Sequence, residues 1–263
     1  MSTTQSTATI RINVDPANPG QYFACCGLLE LAARTSDNVC GWFEDKNFCL
    51  ANTPTLSELL KAICTAVLEQ LDPDDATASP IRIHPPFDLR LDWWKTSDRT
   101  ASSLKVWAGT MESFRIARAM QNAMRDAAFH TNGLLDRGAV AYDPDNLEKK
   151  VEPFYFDARR GPNAHSRDVG FSANDLGLTT TACPAVEFLC LVGLQRCQPS
   201  PTEFRRMFDY HTWTQPLPPI LLPCAVSGLL PFCDQGYRFE SWYRTGQRKH
   251  KAFLPAKLKT KII

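Results

Sequence analysis

Two stretches of this chain carry so little charge that, as helices, they have no face to turn toward water. The first, over about 20–34, holds only Glu30 and Arg34, and the second, over 184–197, only Glu187 and Arg196. A helix that is apolar all round is buried all round, so other elements must cover both. Each also has a start signal. Asn18-Pro19-Gly20 supplies an N-cap followed by proline at the first helical position, and Pro184 takes that position in the second helix. Around them, residues 8–14 (ATIRINV), 40–50, 81–94 (two runs broken by Pro85-Pro86), 153–157 (PFYFD), 220–222 and 237–243 read as strands. Residues 55–71 and 110–130 read as amphipathic helices and 202–210 as a short one. The expected fold is α+β, with two coupled lobes, 1–145 and 146–263. Each lobe has a buried apolar helix packed on mainly antiparallel strands.

Charge divides along the same line. The whole chain is near neutral, at +1, so no global field demands nucleic acid or a membrane. Residues 1–100, however, sum to −5 and residues 101–263 to +6, and after Glu240 there are seven basic residues and no acidic one. The acidic, tryptophan-containing N-terminal half is a candidate protein-docking surface, and the basic half a candidate anion contact. Residues 216–233 are uncharged, but five prolines interrupt them, which argues against a membrane helix. The start MSTTQSTATIRINV lacks a basic segment followed by an apolar run, so a cytoplasmic location is expected. The ten cysteines include no C-x-x-C pair. They read as reduced, buried and metal-free, and no cofactor is expected.

Catalytic motifs are lacking. Asp157, His165 and Ser166 have the residue types of a hydrolase triad, yet Ser166 directly follows His165 rather than sitting on a nucleophile elbow. There is no phosphate-binding glycine loop, no dinucleotide fingerprint and no zinc-hydrolase motif. The chemistry-bearing residues are cations instead. Arg159-Arg160-Gly161 opens a loop that also holds His165 and Arg167. Its guanidinium forks suit phosphate, unless Asp157 and Asp168 pair with them and merely order the loop. Arg115, Arg118 and Arg125 share one side of the 110–130 helix, read first as a solvated face and second as a polyanion track. Arg244, Arg248, Lys249 and Lys251 are flanked by Trp242, Tyr243 and Phe253, an interleaving that suits backbone tracking and base stacking. The tryptophans of Asp92-Trp93-Trp94-Lys95 and Lys105-Val106-Trp107 read as core or interface.

Four sets of stretches, taken in order, carry a resemblance. They are NPGQYFACCGLLELAAR followed by GWFE, LDWW followed by KVWAG, FYFDARRGPNAHSRDVGFS, and TTTACPAVEFLCLVGLQR. Together they resemble the short large-subunit-like proteins of type I-U (I-G) CRISPR–Cas systems, over nearly the whole chain. The resemblance implies a non-catalytic subunit of an RNA-guided surveillance complex. Its partners would be CRISPR RNA, target DNA, the backbone, guide-end and guide-processing subunits, and a separately recruited helicase–nuclease. Nucleic-acid contact is then expected chiefly within the assembled complex. The rival reading is a small hydrolase or anion-binding enzyme that uses the 159–168 loop.

Overall fold

The structure is a computed structural model that describes residues 7–96, 101–160, 181–244 and 250–259. The first strand, β1 (Ile10–Asn13), turns Ile10 and Ile12 inward. Asn18 then caps α1 (Pro19–Ala33), its side-chain oxygen accepting the Gly20 N–H at 3.1 Å. Residues 40–50, expected as one strand, form a hairpin of β2 (Cys40–Glu44) and β3 (Asn47–Ala51), with Asp45 in the left-handed region at φ 52°. Asp tolerates that conformation, which closes a tight turn. β3 lies between β1 and β2 in an antiparallel sheet.

The helix α2 (Leu56–Thr65) starts on a reciprocal cap: Thr55 Oγ1 accepts the Glu58 N–H, and the Glu58 carboxylate accepts the Thr55 N–H at 2.9 Å. It stops short of residue 71, because Ala66 is extended and β4 (Leu68–Gln70) begins. β4 pairs with β5 (Ile81–Ile83), and β5 with β6 (Leu89–Leu91). The amphipathic helix α3 (Ser113–Ala123) is also shorter than its pattern, and a separate turn at Ala127–Phe129 carries the rest. A small hairpin follows, β7 (Tyr142–Asp143) with β8 (Asn146–Lys150).

Three expected elements change type. Residues 153–157 are buried but form no strand, with Tyr155 at φ 74°. The N–H groups of Phe156 and Asp157 donate to the Glu187 carboxylate, at 3.2 and 3.1 Å, instead of to a neighbouring strand. Glu187 lies on α4 (Pro184–Arg196), which matches the expected second apolar helix. Beyond the short β9 (Ser200–Pro201), the expected helix at 202–210 is replaced by β10 (Met207–Trp213). The expected strand at 220–222 is a tight turn leading into α5 (Leu222–Val226), where Pro223 is accommodated in a first helical turn. The long β11 (Cys233–Tyr243) then pairs with β10. The basic C-terminal stretch folds onto it as β12 (Lys251–Phe253) and β13 (Lys257–Leu258). The resulting order is β12-β11-β10-β9, with β13 also on β11. The architecture is α+β, with small antiparallel sheets around buried helices.

The two apolar helices cover each other. Gly27 of α1 and Gly193 of α4 face each other so closely that a Cβ on either would strike the opposite backbone. Their charged exceptions pair rather than meet solvent. The Glu30 carboxylate accepts from Arg34 Nε at 2.7 Å and from Arg196 Nη2 at 2.9 Å. Against the upward pull of burial, those two arginines hold its pKa below the usual carboxylate value. The core is one cluster reaching from Ile10 to Phe253. Among the described residues no helix is long and apolar enough to cross a membrane.

Candidate nucleic-acid interface

The expected cationic residues fall into three places. Arg159 lies beside the buried Asp157, to which its Nη2 donates at 2.9 Å. Its other donors reach Asp136 Oδ1 at 2.6 Å and the Leu135 carbonyl at 2.7 Å. Asp157 also accepts from Asn18 Nδ2 at 2.7 Å. The pairing of Asp157 with Arg159 is therefore present, while Asp168, His165 and Ser166 lie outside the described residues, as do Arg167, Arg248 and Lys249. This guanidinium is largely committed within the protein. Arg160 is looser, with Nη2 3.9 Å from Cys183 Sγ. Burial pushes that thiol up to about 12, far from a ready thiolate.

The α3 face is covered too. Arg115 Nε is 3.0 Å from Asp143, and Arg118 makes a two-pronged contact with Asp145 at 2.5 and 3.0 Å. The β7–β8 hairpin thus lays carboxylates over two of the three arginines. Arg125 donates to the Cys64 carbonyl at 3.2 Å, at the end of α2. The helix face is not an open cationic track.

The third place is different. Strand register brings Arg244 and Lys251 together with cations that the sequence reading passed over. Ser241 N–H donates to the Arg206 carbonyl, which ties the turn before β10 to β11. Lys251 lies opposite Tyr243, and its N–H donates to the Val106 carbonyl at 2.8 Å, which draws in Lys105. The Arg206 guanidinium stacks 4.7 Å from the Trp242 ring centre and 4.8 Å from that of Tyr243. Arg244 sits 3.7 Å from the Tyr155 ring, and Lys105 5.2 Å from Trp107. Two of these cations have carboxylate partners in long ion pairs: Glu240 is 3.7 Å from Arg206, and Glu152 is 3.8 Å from Arg244, while Lys251 Nζ donates to the Ser103 carbonyl at 2.8 Å. Three polar atoms here, Arg206 Nε, Arg244 Nε and Ser241 Oγ, are buried without a hydrogen-bond partner among the described residues.

Electrostatics single out the same spot. Burial, then the charges of Arg206, Lys105 and Arg205, pull the Lys251 amine down from 10.5 to about 8. Burial also lowers Lys105, with Asp75 opposing and Lys95 adding. A depressed lysine means that the folded state holds its proton less tightly. Keeping it charged costs stability below about pH 8, and that cost disappears as pH rises from about 8 to 10.5. A lysine depressed by burial and by neighbouring cations marks this spot as a candidate anion site. An anion bound here is expected to lose affinity as pH rises through about 8, when Lys251 becomes neutral. In a pH titration of binding, Lys251→Arg should flatten that fall, whereas an unchanged fall would assign it to another group.

No local pattern singles out Arg205, Arg206 and Lys105: 202–210 reads as a short helix, and Lys105 is drawn in only through the Lys251 N–H to Val106 carbonyl bond. The signal available for the strand was the aromatic alternation of MFDYHTW immediately after Arg206, which has a strand period. The tryptophans of the acidic half are core rather than a docking surface. Trp93, Trp94 and Trp107 contact one another, and their Nε1 atoms donate to the carbonyls of Leu191, Ala78 and Thr77. Among the described residues no group of three or more His, Cys, Asp or Glu side chains is arranged to hold a metal ion. No known protein family, curated protein or solved structure matches this chain.

Proposed function

We propose that this protein is a non-catalytic subunit of a type I CRISPR RNA-guided surveillance complex. In that role it helps to recognise the target flanking motif, binds target DNA and steadies the R-loop for a separate helicase–nuclease. Its partners are then the CRISPR RNA and the backbone, guide-end and guide-processing subunits. The observation that carries the reading is Arg206 stacked on Trp242 and Tyr243, with Lys251 paired to Tyr243 and close enough to Arg206, Lys105 and Arg205 to feel their charges. Guanidinium donors grip phosphate and aromatic rings stack bases, so the combination suits a nucleic-acid strand better than a lone anion. The four sets of stretches resembling the family supply the setting. Near-neutral overall charge is compatible with it, since in such complexes base pairing reads sequence and protein supplies local contacts.

The test is to co-express the full chain with the proteins encoded beside it and a CRISPR repeat transcript. The chain is expected in an RNA-containing assembly that binds DNA. In that assembly, Arg205→Ala with Arg206→Ala should lower the slope of log affinity against log salt by about 1.4 on single strands or about 1.8 on duplex. Recovery of the chain free of RNA, or an assembly whose affinity and slope ignore both substitutions, would overturn the proposal.

A further inference from the structure

We propose that this surface takes an unpaired strand, DNA or RNA, rather than a duplex, and that the strand runs along β11 from Trp242 to a second basic groove beside Arg238. The inference rests on the nucleic-acid reading above. β11 alternates cleanly: Tyr237, Phe239 and Ser241 are buried, while Arg238, Glu240 and Trp242 lie on the other face. Pairing carries that outer face sideways, with Lys257 of β13 and Asp209 of β10 opposite Arg238, and Met207 opposite Glu240. Here a groove of about 510 Å³ opens between Arg238, Met207, Leu254, Lys257 and Lys259. Asp209 is shared by Arg238 and Lys259, each 2.7 Å away, so one carboxylate faces two cations. Lys257 is exposed and makes no salt bridge among the described residues. Four residues of strand separate Arg238 from Trp242, or about 14 Å. The outer face therefore carries Arg238, Lys257 and Lys259 at one end and Arg206, stacked on Trp242 and approached by Glu240, at the other. A carboxylate in the middle repels phosphate but can accept a base amino group, so the backbone is gripped at the ends and a base lies over the centre.

The geometry disfavours a duplex for two reasons. Trp242 is 37% exposed, whereas the other five tryptophans are 7% or less. An aromatic ring on a flat sheet face receives the π-face of a base only when that base is free of its own stack. Duplex reading usually inserts a cationic helix into the major groove. The arginine-bearing helix, α3, has Arg115 and Arg118 engaged by Asp143 and Asp145.

The isolated chain at low ionic strength provides the test, and the part of its tryptophan emission that Trp242→Leu removes is the local reporter, because the other five tryptophans are buried. A short mixed-sequence oligonucleotide is titrated as single-stranded DNA, as single-stranded RNA, and as DNA annealed to its complement. Both single strands are expected to quench emission and to bind about tenfold tighter than the duplex. Trp242→Leu should abolish the quench and weaken single-strand binding about tenfold, while Lys257→Ala should lower the salt slope by about 0.7. Duplex binding as tight as single-strand binding, with Trp242→Leu unaffected, would overturn this inference and leave the nucleic-acid reading standing. An unchanged slope in Lys257→Ala would overturn the path along β11. Even non-specific nucleic-acid binders reach Kd of about 10⁻⁴–10⁻⁶ M, so no binding of any form by the isolated chain would overturn this inference, while the complex-subunit reading stands or falls with the assembly test.

Discussion

Gly193→Ala is expected to destabilise the protein by about 3 kcal/mol or more, a large share of the roughly 5–15 kcal/mol that holds a domain folded. A Cβ at Gly193 would lie 1.9 Å from the Phe23 carbonyl oxygen and 2.9 Å from the Gly27 nitrogen. The contact is reciprocal, since a Cβ at Gly27 would lie 2.0 Å from the Leu189 carbonyl oxygen. These are backbone atoms of two buried helices and cannot swing away as a side chain could. Alanine's better helix propensity, about 1 kcal/mol over glycine, is too small to offset prising α1 from α4. Gly133→Ala is the control: its nearest neighbour would be Thr131 Oγ1 at 4.0 Å, and a change within about 0.5 kcal/mol is expected. Denaturant unfolding followed by circular dichroism measures both. A Gly193→Ala protein as stable as the Gly133→Ala protein would mean that the helices do not cross at this point.

Glu187→Ala is expected to be nearly as damaging, for a polar reason. Its fully buried carboxylate accepts the N–H groups of Phe156 and Asp157. Truncation leaves both donors unpaired in the core, at a cost on the order of 2–6 kcal/mol. Glu187→Gln retains one accepting oxygen and should lose less. Burial, together with the nearby Asp157, raises Glu187 from 4.5 to about 8 although the backbone N–H groups oppose it. The folded state thus binds the proton more tightly than the unfolded one. The stability contributed is full below about pH 4.5 and is lost as pH rises toward about 8. Asp157, Asp209 and Glu30 are shifted downward, so their contributions are lost toward acid, below that window. Comparing wild type with Glu187→Gln at the two ends of the window isolates the effect: the wild type should lose stability toward the alkaline end and the variant should not. Equal slopes would show that Glu187 stays ionised throughout.

The contrast between these two residues explains how far the sequence could be read. The glycine helices were legible because their signals are local: an uncharged periodicity, Asn18 before Pro19, and Pro184 at the start of α4. The same holds for the Thr55–Glu58 cap. Residues 153–157 look like a strand, yet their donors are claimed by a side chain some thirty positions away, which no local pattern reports. Residues 202–210 are ambiguous for a similar reason: a short stretch mixing aromatic and charged residues suits helix or strand until an edge is offered, and here β11 offers one.

By itself, the sequence determined the two buried helices, the α+β class and the basic character of the C-terminal half, because periodicity, capping and charge reside in residues a few positions apart. Only the tertiary structure decided which cations are spent and which are gathered. The β7–β8 hairpin neutralises Arg115 and Arg118, and Asp136 and Asp157 hold Arg159. Lys105, Arg206, Trp242 and Lys251 come from four separate stretches of the chain, and only strand pairing together with the backbone bonds Lys251 N–H to Val106 and Ser241 N–H to Arg206 brings them near one another. Charge interactions are screened beyond about 8–10 Å and ring stacking needs direct contact, so a site assembled across such sequence distances exists only once the sheet has paired.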